Sequence, residues 1–417
     1  MTVPSGAPDP SSTRVVVVGA GPAGAVLGLL LARGGVPVTL LEAHHDFDRD
    51  FRGDTVHPST LEILDQIGLA ERLHRLPHAQ IAQLRIHTPA EVVTIADASR
   101  LRTRFPYVMM LPQVHLLELL TAEAQRYPHF RLVLGANVQR LIEDSGTVRG
   151  VAYRDAADHW QEVRADLTVA ADGRFSKVRH LAGIETESTA APMDVVWFRL
   201  PRRADDPAES GALFVGGGRF AVVLQRPEEW QIGYVILKGS FGALRAAGLP
   251  ALRAGLAEVL PWLGNRVEEL QDWRQVSVLN VESSRVRRWY RPGLLLIGDA
   301  AHVMSPVGGV GINYAVQDAV EAANLLVPKL RRGPVTAGDL AAVQRRREWP
   351  VRFIQAVQRL LQSRLVAAGL KDGQTFRLPW FLRLLTRLPL LRNLPARIIG
   401  FGLRRVRVEV KEAPPLR

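Results

Sequence analysis

The stretch LLLIGDAAHVMSPVGGVGINYAVQDAVEAANLL, residues 294–326, decides the fold. Leu294 to Ile297 is a short apolar run closed by a glycine, the pattern of a buried strand. The Ala- and Leu-rich segment from about Gly311 onward reads as a helix. Between them lie a Gly-Asp turn and a Pro/Gly loop. Asp299 therefore falls just past the carboxyl end of a strand, where open α/β sheets receive ligands. Gly308, Gly309 and Gly311 carry no Cβ and let the backbone pass close to a bulky partner. The helix that follows turns its unpaired N–H groups and positive dipole end toward the same place. A carboxylate for hydroxyls, glycines for close approach and a helix N-terminus for negative charge together describe a flavin site. An ordinary strand–loop–helix connection is the plain alternative.

Working outward to the N-terminus, Arg14 to Val18 form a β-branched strand, followed by GAGPAG at residues 19–24. In this G-x-G-x-x-G, Gly19 suits the tight turn, Gly21 admits a pyrophosphate and Gly24 lets the helix pack closely on the sheet, with Ala23 in the same turn. Ala25 to Arg33 continue as the helix, Gly34-Gly35 end it, and Pro37 to Leu41 form the next strand. Glu42 then arrives about twenty residues after the fingerprint, where an acid meets ribose hydroxyls. Strand, glycines, helix and acid in sequence predict an adenine dinucleotide.

The segments between these two ends are less specific. Phe51 to Leu69 reads as a loop feeding a helix, with Pro58 at its first position and Gly68 at its stop. Arg52 is placed to reach a phosphate or else is a surface arginine, and His57 reads as a helix-start residue rather than a catalyst. Gln80 to Ala96 is hairpin-like, and Leu111 to Arg126 returns to a helix with Gln113 at its start. Arg131 to Ala171 reads as strands ending in Asp172-Gly173, a second Asp-Gly turn behind an apolar strand. Asp194 to Gln275 has the alternation of an antiparallel sheet, followed by a helical piece around Leu244 to Trp262. That sheet is the natural substrate domain, with Phe198, Phe214, Val222 and Tyr234, together with Pro306 of the loop, as candidates to line a pocket. Core packing is the competing reading for each aromatic.

The 417 residues exceed one ordinary core, so two interleaved domains are expected. The absence of cysteine excludes disulfides, thiolate metal sites and a cysteine nucleophile. No His/Asp/Glu cluster has metal-ligand spacing, so no metal is expected, and G-x-S-x-G is missing. The net charge of +12 is almost wholly arginine and is spread along the chain without a nucleic-acid module. The N-terminal MTVPSGAPDPSST lacks the basic-then-apolar pattern of a signal peptide, and a cytoplasmic protein is expected. After Gln344 the chain becomes Arg- and Leu-rich helical pieces broken by Pro379, Pro389 and Pro395. These read either as a cover over the domain junction or as a peripheral membrane contact.

The order and spacing of Gly19–Gly24 with Glu42, Asp172-Gly173, and Gly298-Asp299 with its glycine loop resemble the FAD-dependent monooxygenases of the para-hydroxybenzoate hydroxylase fold. The resemblance extends to about Arg345. It implies an α/β fold in which a Rossmann-like FAD-binding domain (1–75, 101–182 and 283–345) is interleaved with an antiparallel-sheet substrate domain (76–100 and 183–282), followed by helices over 346–417. By the same resemblance Gly19, Gly21, Ala23 and Gly24 hold the pyrophosphate and Glu42 the ribose. Arg52 and Gln113 line the FAD, Val138 lies near the adenine and Asp299 meets the ribityl chain or the pyrophosphate region. The backbone of Gly311, Ile312 and Asn313 reaches the isoalloxazine edge, and Asp172 serves FAD and nicotinamide alike. NADPH or NADH acts as transient reductant without a Rossmann fold of its own. O2 and an aromatic or polyketide-like substrate complete a hydroxylation or epoxidation through a flavin hydroperoxide. No catalytic side chain is assigned. A flavin-dependent reductase or dehydrogenase of a prenyl or quinone-type substrate, and a non-redox protein using FAD as a scaffold for a cyclisation or binding pocket, remain as alternatives; neither Trp197-Phe198-Arg199 nor Trp230-Gln231-Ile232 matches the W-x-W-x-I-P of flavin halogenases.

Overall fold

The computed structural model describes residues 12–48, 54–207, 209–369 and 393–413. The strand Ser12–Val18 lies at the centre of the larger sheet. It pairs in parallel with Val38–Leu41 on one side and Trp160–Ala170 on the other. Phe130–Val133 and Leu294–Leu296 extend the parallel set outward. An antiparallel hairpin, Asn137–Asp144 and Thr147–Arg154, adds to the N-terminal half of Trp160–Ala170. Val15 and Val17 enter one core cluster, while Val16 and Val18 enter another. A run of valines without polar alternation is what a strand covered on both faces requires.

One cover is the helix Pro22–Arg33, whose residues Ala23 to Ala32 are all buried. It packs on the helix Gly311–Leu330, and both contribute to the same core. The approach of helix to sheet depends on two glycines. Gly19 has φ +97°, and a Cβ on Gly24 would stand 1.8 Å from the Gly19 carbonyl oxygen.

The second sheet has seven strands in the order Ser277–Leu279, Met193–Pro201, Glu229–Leu237, Arg219–Gln225, Gly211–Gly216, Gln83–His87 and Val92–Asp97. All its pairs are antiparallel except Gly211–Gly216 with Gln83–His87. The helices Phe241–Ala247 and Leu249–Val259 and the 3-10 segment Pro261–Glu269 follow it, and the core of Leu252, Leu256 and Leu263 backs one face. Thus one segment before residue 100 and one after residue 190 build the same sheet.

The long helix Ala337–Gly369 packs beside Gly311–Leu330, with Val351 and Ile354 in the core next to Tyr314. A short helix, Leu394–Phe401, packs on the body and buries Phe401. Arg52, Pro379 and Pro389 lie outside the described residues. Among the described residues no helix is long and apolar enough to cross a membrane. The strand expected from Arg14 starts at Ser12, so backbone pairing with Arg164 reaches two residues into the Pro/Ser-rich segment.

Adding a methyl group to Gly24 meets backbone rather than a movable side chain. Gly24→Ala is expected to lower unfolding stability by about 1–3 kcal/mol or more in urea titration, the usual scale of overpacking.

Candidate active site

A single cavity of about 1290 Å³ joins the two sheets. It exceeds the roughly 300–1,000 Å³ of an ordinary small-molecule site, which suits two ligands side by side. At one end it is lined by Gly19, Gly21, Ala23, Glu42, Asp172 and Gly173 at the carboxyl ends of the parallel strands, and by Val138 at the start of the antiparallel hairpin. Asp54, His57, Gln113, Asp299, Pro306, Gly311 and Ile312 line the middle. Met193, Val195, Trp197, Phe220, Val222 and Val235 of the antiparallel sheet line the other end.

At the first end, a Cβ on Gly21 would meet nothing within 4 Å, so the turn stands open toward the cavity. Glu42 is buried and braces this turn: Oε2 accepts from the Ala20 N–H at 2.8 Å, and Oε1 from the His44 N–H at 3.1 Å. Asp172 braces the next element. Its Oδ1 accepts from Ser176 Oγ at 2.5 Å and its Oδ2 from the Val178 N–H at 3.0 Å, which caps the short helix Lys177–Leu181. Burial raises the Asp172 carboxyl pKa against the pull of these hydrogen bonds.

In the middle, the Gly-Asp turn hangs on a carboxylate that no motif announces. Asp318, fully buried in the helix Gly311–Leu330, accepts from the Gly298 N–H at 3.0 Å, from His302 Nε2 at 2.5 Å and from Arg347 Nε at 2.7 Å. Burial would raise its pKa; attraction to His302 and Arg347 prevails and holds it below the usual range. The first bond of the following helix runs from the Tyr314 N–H to the Val310 carbonyl, 3.0 Å. The N–H groups of Gly311, Ile312 and Asn313 precede it and belong to the donor end. The Asn313 side chain does not line the cavity: its Oδ1 accepts from Ser59 and from Thr60 Oγ1 at 3.1 Å, tying two helix starts together.

A second polar cluster ties Asp54, just before the short strand Thr55–Val56, to the antiparallel sheet at the cavity wall. Arg226, after the strand Arg219–Gln225, pairs with Asp54 and donates to Gln231 Oε1 at 2.8 Å. Burial raises the Asp54 carboxyl pKa, opposed by Arg226, Arg199 and the Gln113 N–H. Neither Asp54 nor Arg226 stood out in the sequence, because an isolated Asp and one arginine among dozens carry no spacing signal. His57 is buried, and its Nε2 donates to the Gly309 carbonyl at 2.9 Å, beside Thr55 Oγ1 at 3.1 Å. Burial pushes its pKa down to about 4, so it is neutral at pH 7.

Strand parity sorts the substrate-side candidates. Val222 and Pro306 line the cavity; Phe198, Phe214 and Tyr234 do not. Successive side chains of a strand point to opposite faces. With Met193, Val195 and Trp197 turned inward, Phe198 turns outward into the helix-backed core, where Tyr234 joins it. The Tyr234 hydroxyl accepts from Arg219 Nη1 at 3.0 Å, and Phe214 stacks on His87 with ring centroids 4.5 Å apart. Gly24 likewise packs beneath the turn rather than facing the cavity.

A glycine turn, a helix donor end and acidic groups at strand termini, roofed by an apolar sheet, define a dinucleotide-cofactor oxidoreductase site. FAD fits the residues present, since Cβ positions on Gly21, Gly173 and Gly311 are all open. Residues 12–348 match the FAD binding domain family. The chain is 35% identical over 403 residues to the 6-methylpretetramide 4-monooxygenase of Streptomyces rimosus, covering 96% of this chain and 95% of that protein. The anhydrotetracycline hydroxylase OxyS of the same species superposes with a TM-score of 0.74 at 25% identity, covering 93% of this chain and 76% of that one. The p-nitrophenol 4-monooxygenase of Pseudomonas putida DLL-E4 shares the fold, with a TM-score of 0.78 at 21% identity over 94% of this chain and 100% of its own. The chain belongs to this family of FAD-dependent flavoprotein monooxygenases.

Two outcomes are expected. Gly21→Ala should unfold within about 0.5 kcal/mol of the wild type while losing FAD affinity in titration of the apoprotein. His57, whose folded pKa of about 4 lies below its ordinary 6.5, stabilises the fold fully above pH 6.5. That contribution, roughly 3 kcal/mol, is lost as pH falls from 6.5 toward 4. Urea titrations of His57→Gln across this window should show a flatter dependence than the wild type.

Proposed function

We propose that this monooxygenase takes NADPH or NADH as a transient reductant and hydroxylates or epoxidises an aromatic, polyketide-like small molecule. The observation that carries the reading is the continuity of one cavity from the glycine turn to the apolar sheet face. Support for the substrate class comes from the Streptomyces rimosus relative, named for action on 6-methylpretetramide. The net reaction is RH + O2 + NAD(P)H + H+ → ROH + H2O + NAD(P)+. The chemistry that FAD supplies when bound is electron transfer from the nicotinamide and activation of O2 for transfer of one oxygen atom.

The chain's own residues bind, orient and exclude water. In this reading Gly19, Gly21 and Ala23 cradle the pyrophosphate, with Gly24 allowing the turn to form. Glu42, held by Ala20 and His44, faces the adenosine ribose, and Val138 the adenine. Gln113, Asp172 and Asp299 line the remainder. The N–H groups of Gly311, Ile312 and Asn313 offer hydrogen bonds and the positive helix end to negative charge on the ring system. Met193, Val195, Trp197, Phe220, Val222 and Val235 keep the reacting centre dry, which limits wasteful breakdown of the activated oxygen. The functional division follows: segments 1–75, 101–182 and 283–345 serve the cofactor, and 76–100 and 183–282 the substrate.

The deciding test is anaerobic reduction of the bound flavin by NADPH and by NADH, with and without phenols and polycyclic aromatics. Stimulation by one compound is expected, and a flavin that neither nicotinamide reduces would overturn the reading. Asp299→Ala should fold yet retain FAD at least about tenfold more weakly, a change of about 1.4 kcal/mol. Val222→Trp should fill the far end of the cavity, raising the substrate KM while leaving FAD affinity unchanged.

A further inference from the structure

Three glutamines on one face of the helix Ala337–Gly369 are buried, each no more than 3% exposed: Gln355, Gln358 and Gln362. Spacings of three and four residues put them on one helical stripe. They meet the loop that carries the glycines. Gln355 Nε2 donates to the carbonyls of Ser284 at 3.0 Å and Val303 at 3.1 Å. Gln358 Nε2 donates to the carbonyls of Ser305 at 2.9 Å and Val307 at 2.8 Å. Gln362 Nε2 donates to Ser305 Oγ. From the opposite side Thr55 and His57 hold the Gly309 carbonyl. The carbonyls of residues 303, 305, 307 and 309 are thus all occupied by side-chain donors, just ahead of the helix donor end at Gly311.

An apolar helix face would leave the carbonyls of residues 303, 305 and 307 without these donors, or force them to turn elsewhere. Buried amides cost desolvation where unsatisfied, and Gln358 Oε1 has no partner among the described residues, so the amide is held here for the carbonyls its nitrogen orients. Gln358 and Gln362 reach the cavity wall and Gln355 does not. We propose that Gln358, flanked by Gln355 and Gln362, is a positioning residue for the FAD site: it fixes the direction of the loop carbonyls and so sets where the Gly311–Asn313 N–H groups point. These glutamines lie beyond residue 348, where the family match ends. The inference rests on the reading that Gly311–Asn313 face the cofactor.

The same helix supplies its own control. Gln344 also clasps backbone, donating to the Arg287 carbonyl at 2.8 Å and accepting from the Trp289 N–H at 3.0 Å, without lining the cavity. Full-length Gln358→Met and Gln344→Met would be compared by FAD titration of the apoproteins, visible circular dichroism of the bound flavin, and apoprotein Tm. Gln358→Met is expected to raise the FAD Kd about tenfold or more and to change the flavin spectrum; Gln344→Met is expected to lower Tm with Kd and spectrum unchanged. If the two variants leave Kd and spectrum alike, the glutamines only stabilise the fold and the inference is overturned. Gln355→Met, which removes two bonds to carbonyls from a residue off the cavity wall, separates positioning from direct contact and stands in should Gln358→Met fail to fold: a Kd raised about threefold supports the inference, and an unchanged Kd overturns it. Asp299→Ala separates the two levels. If it leaves the Kd unchanged, the cofactor reading fails; if it weakens FAD while Gln358→Met does not, this inference alone fails.

Discussion

The site depends on one buried carboxylate. Asp318 accepts hydrogen bonds from three different parts of the chain: the turn at Gly298, the loop at His302 and the long helix at Arg347. In the interior a carboxylate persists only where such partners repay its desolvation, and breaking a pair of this kind costs about 3–5 kcal/mol. That cost binds the Gly-Asp turn, the loop behind it and the C-terminal helix into one unit. Asp299, the residue beside Gly298, takes its place at the cavity wall from this arrangement.

The two sheets answer different demands. The parallel sheet is covered on both faces at its centre, so residues 15–18 and the last residues of Trp160–Ala170 are buried, and the carboxyl ends of its strands are the surfaces left for a ligand. The antiparallel sheet carries a helix-backed core on one face and a cavity wall on the other. Its alternation therefore separates residues that hold the domain together from residues that line the cavity. The Asp54–Arg226–Gln231 cluster joins an early loop to the antiparallel sheet at the cavity wall.

Much of this was legible beforehand. Gly19 to Gly24, Glu42, Asp172-Gly173 and Asp299 could be read because each lies within a few residues of the strand or turn that gives it meaning. The antiparallel sheet was legible from its period of two. Which face of it met the cavity was not: Phe198 and Tyr234 look like good lining residues until strand register turns both into the opposite core. The glutamines of the C-terminal helix were illegible for a related reason, since an inward-facing polar stripe and a solvated one have the same spacing.

The sequence by itself determined the strand–glycine–helix units, the acids at strand ends and hence the cofactor class, because those depend on short-range geometry: φ freedom, the missing Cβ and helix donor ends. Only the tertiary structure decided that Asp318 gathers Gly298, His302 and Arg347, that Asp54 meets Arg226 across 172 residues, and that Val222 rather than Phe198 looks into the cavity. Those are long-range pairings, set by which buried polar groups find partners and which strand face the helices leave uncovered. No local pattern encodes them.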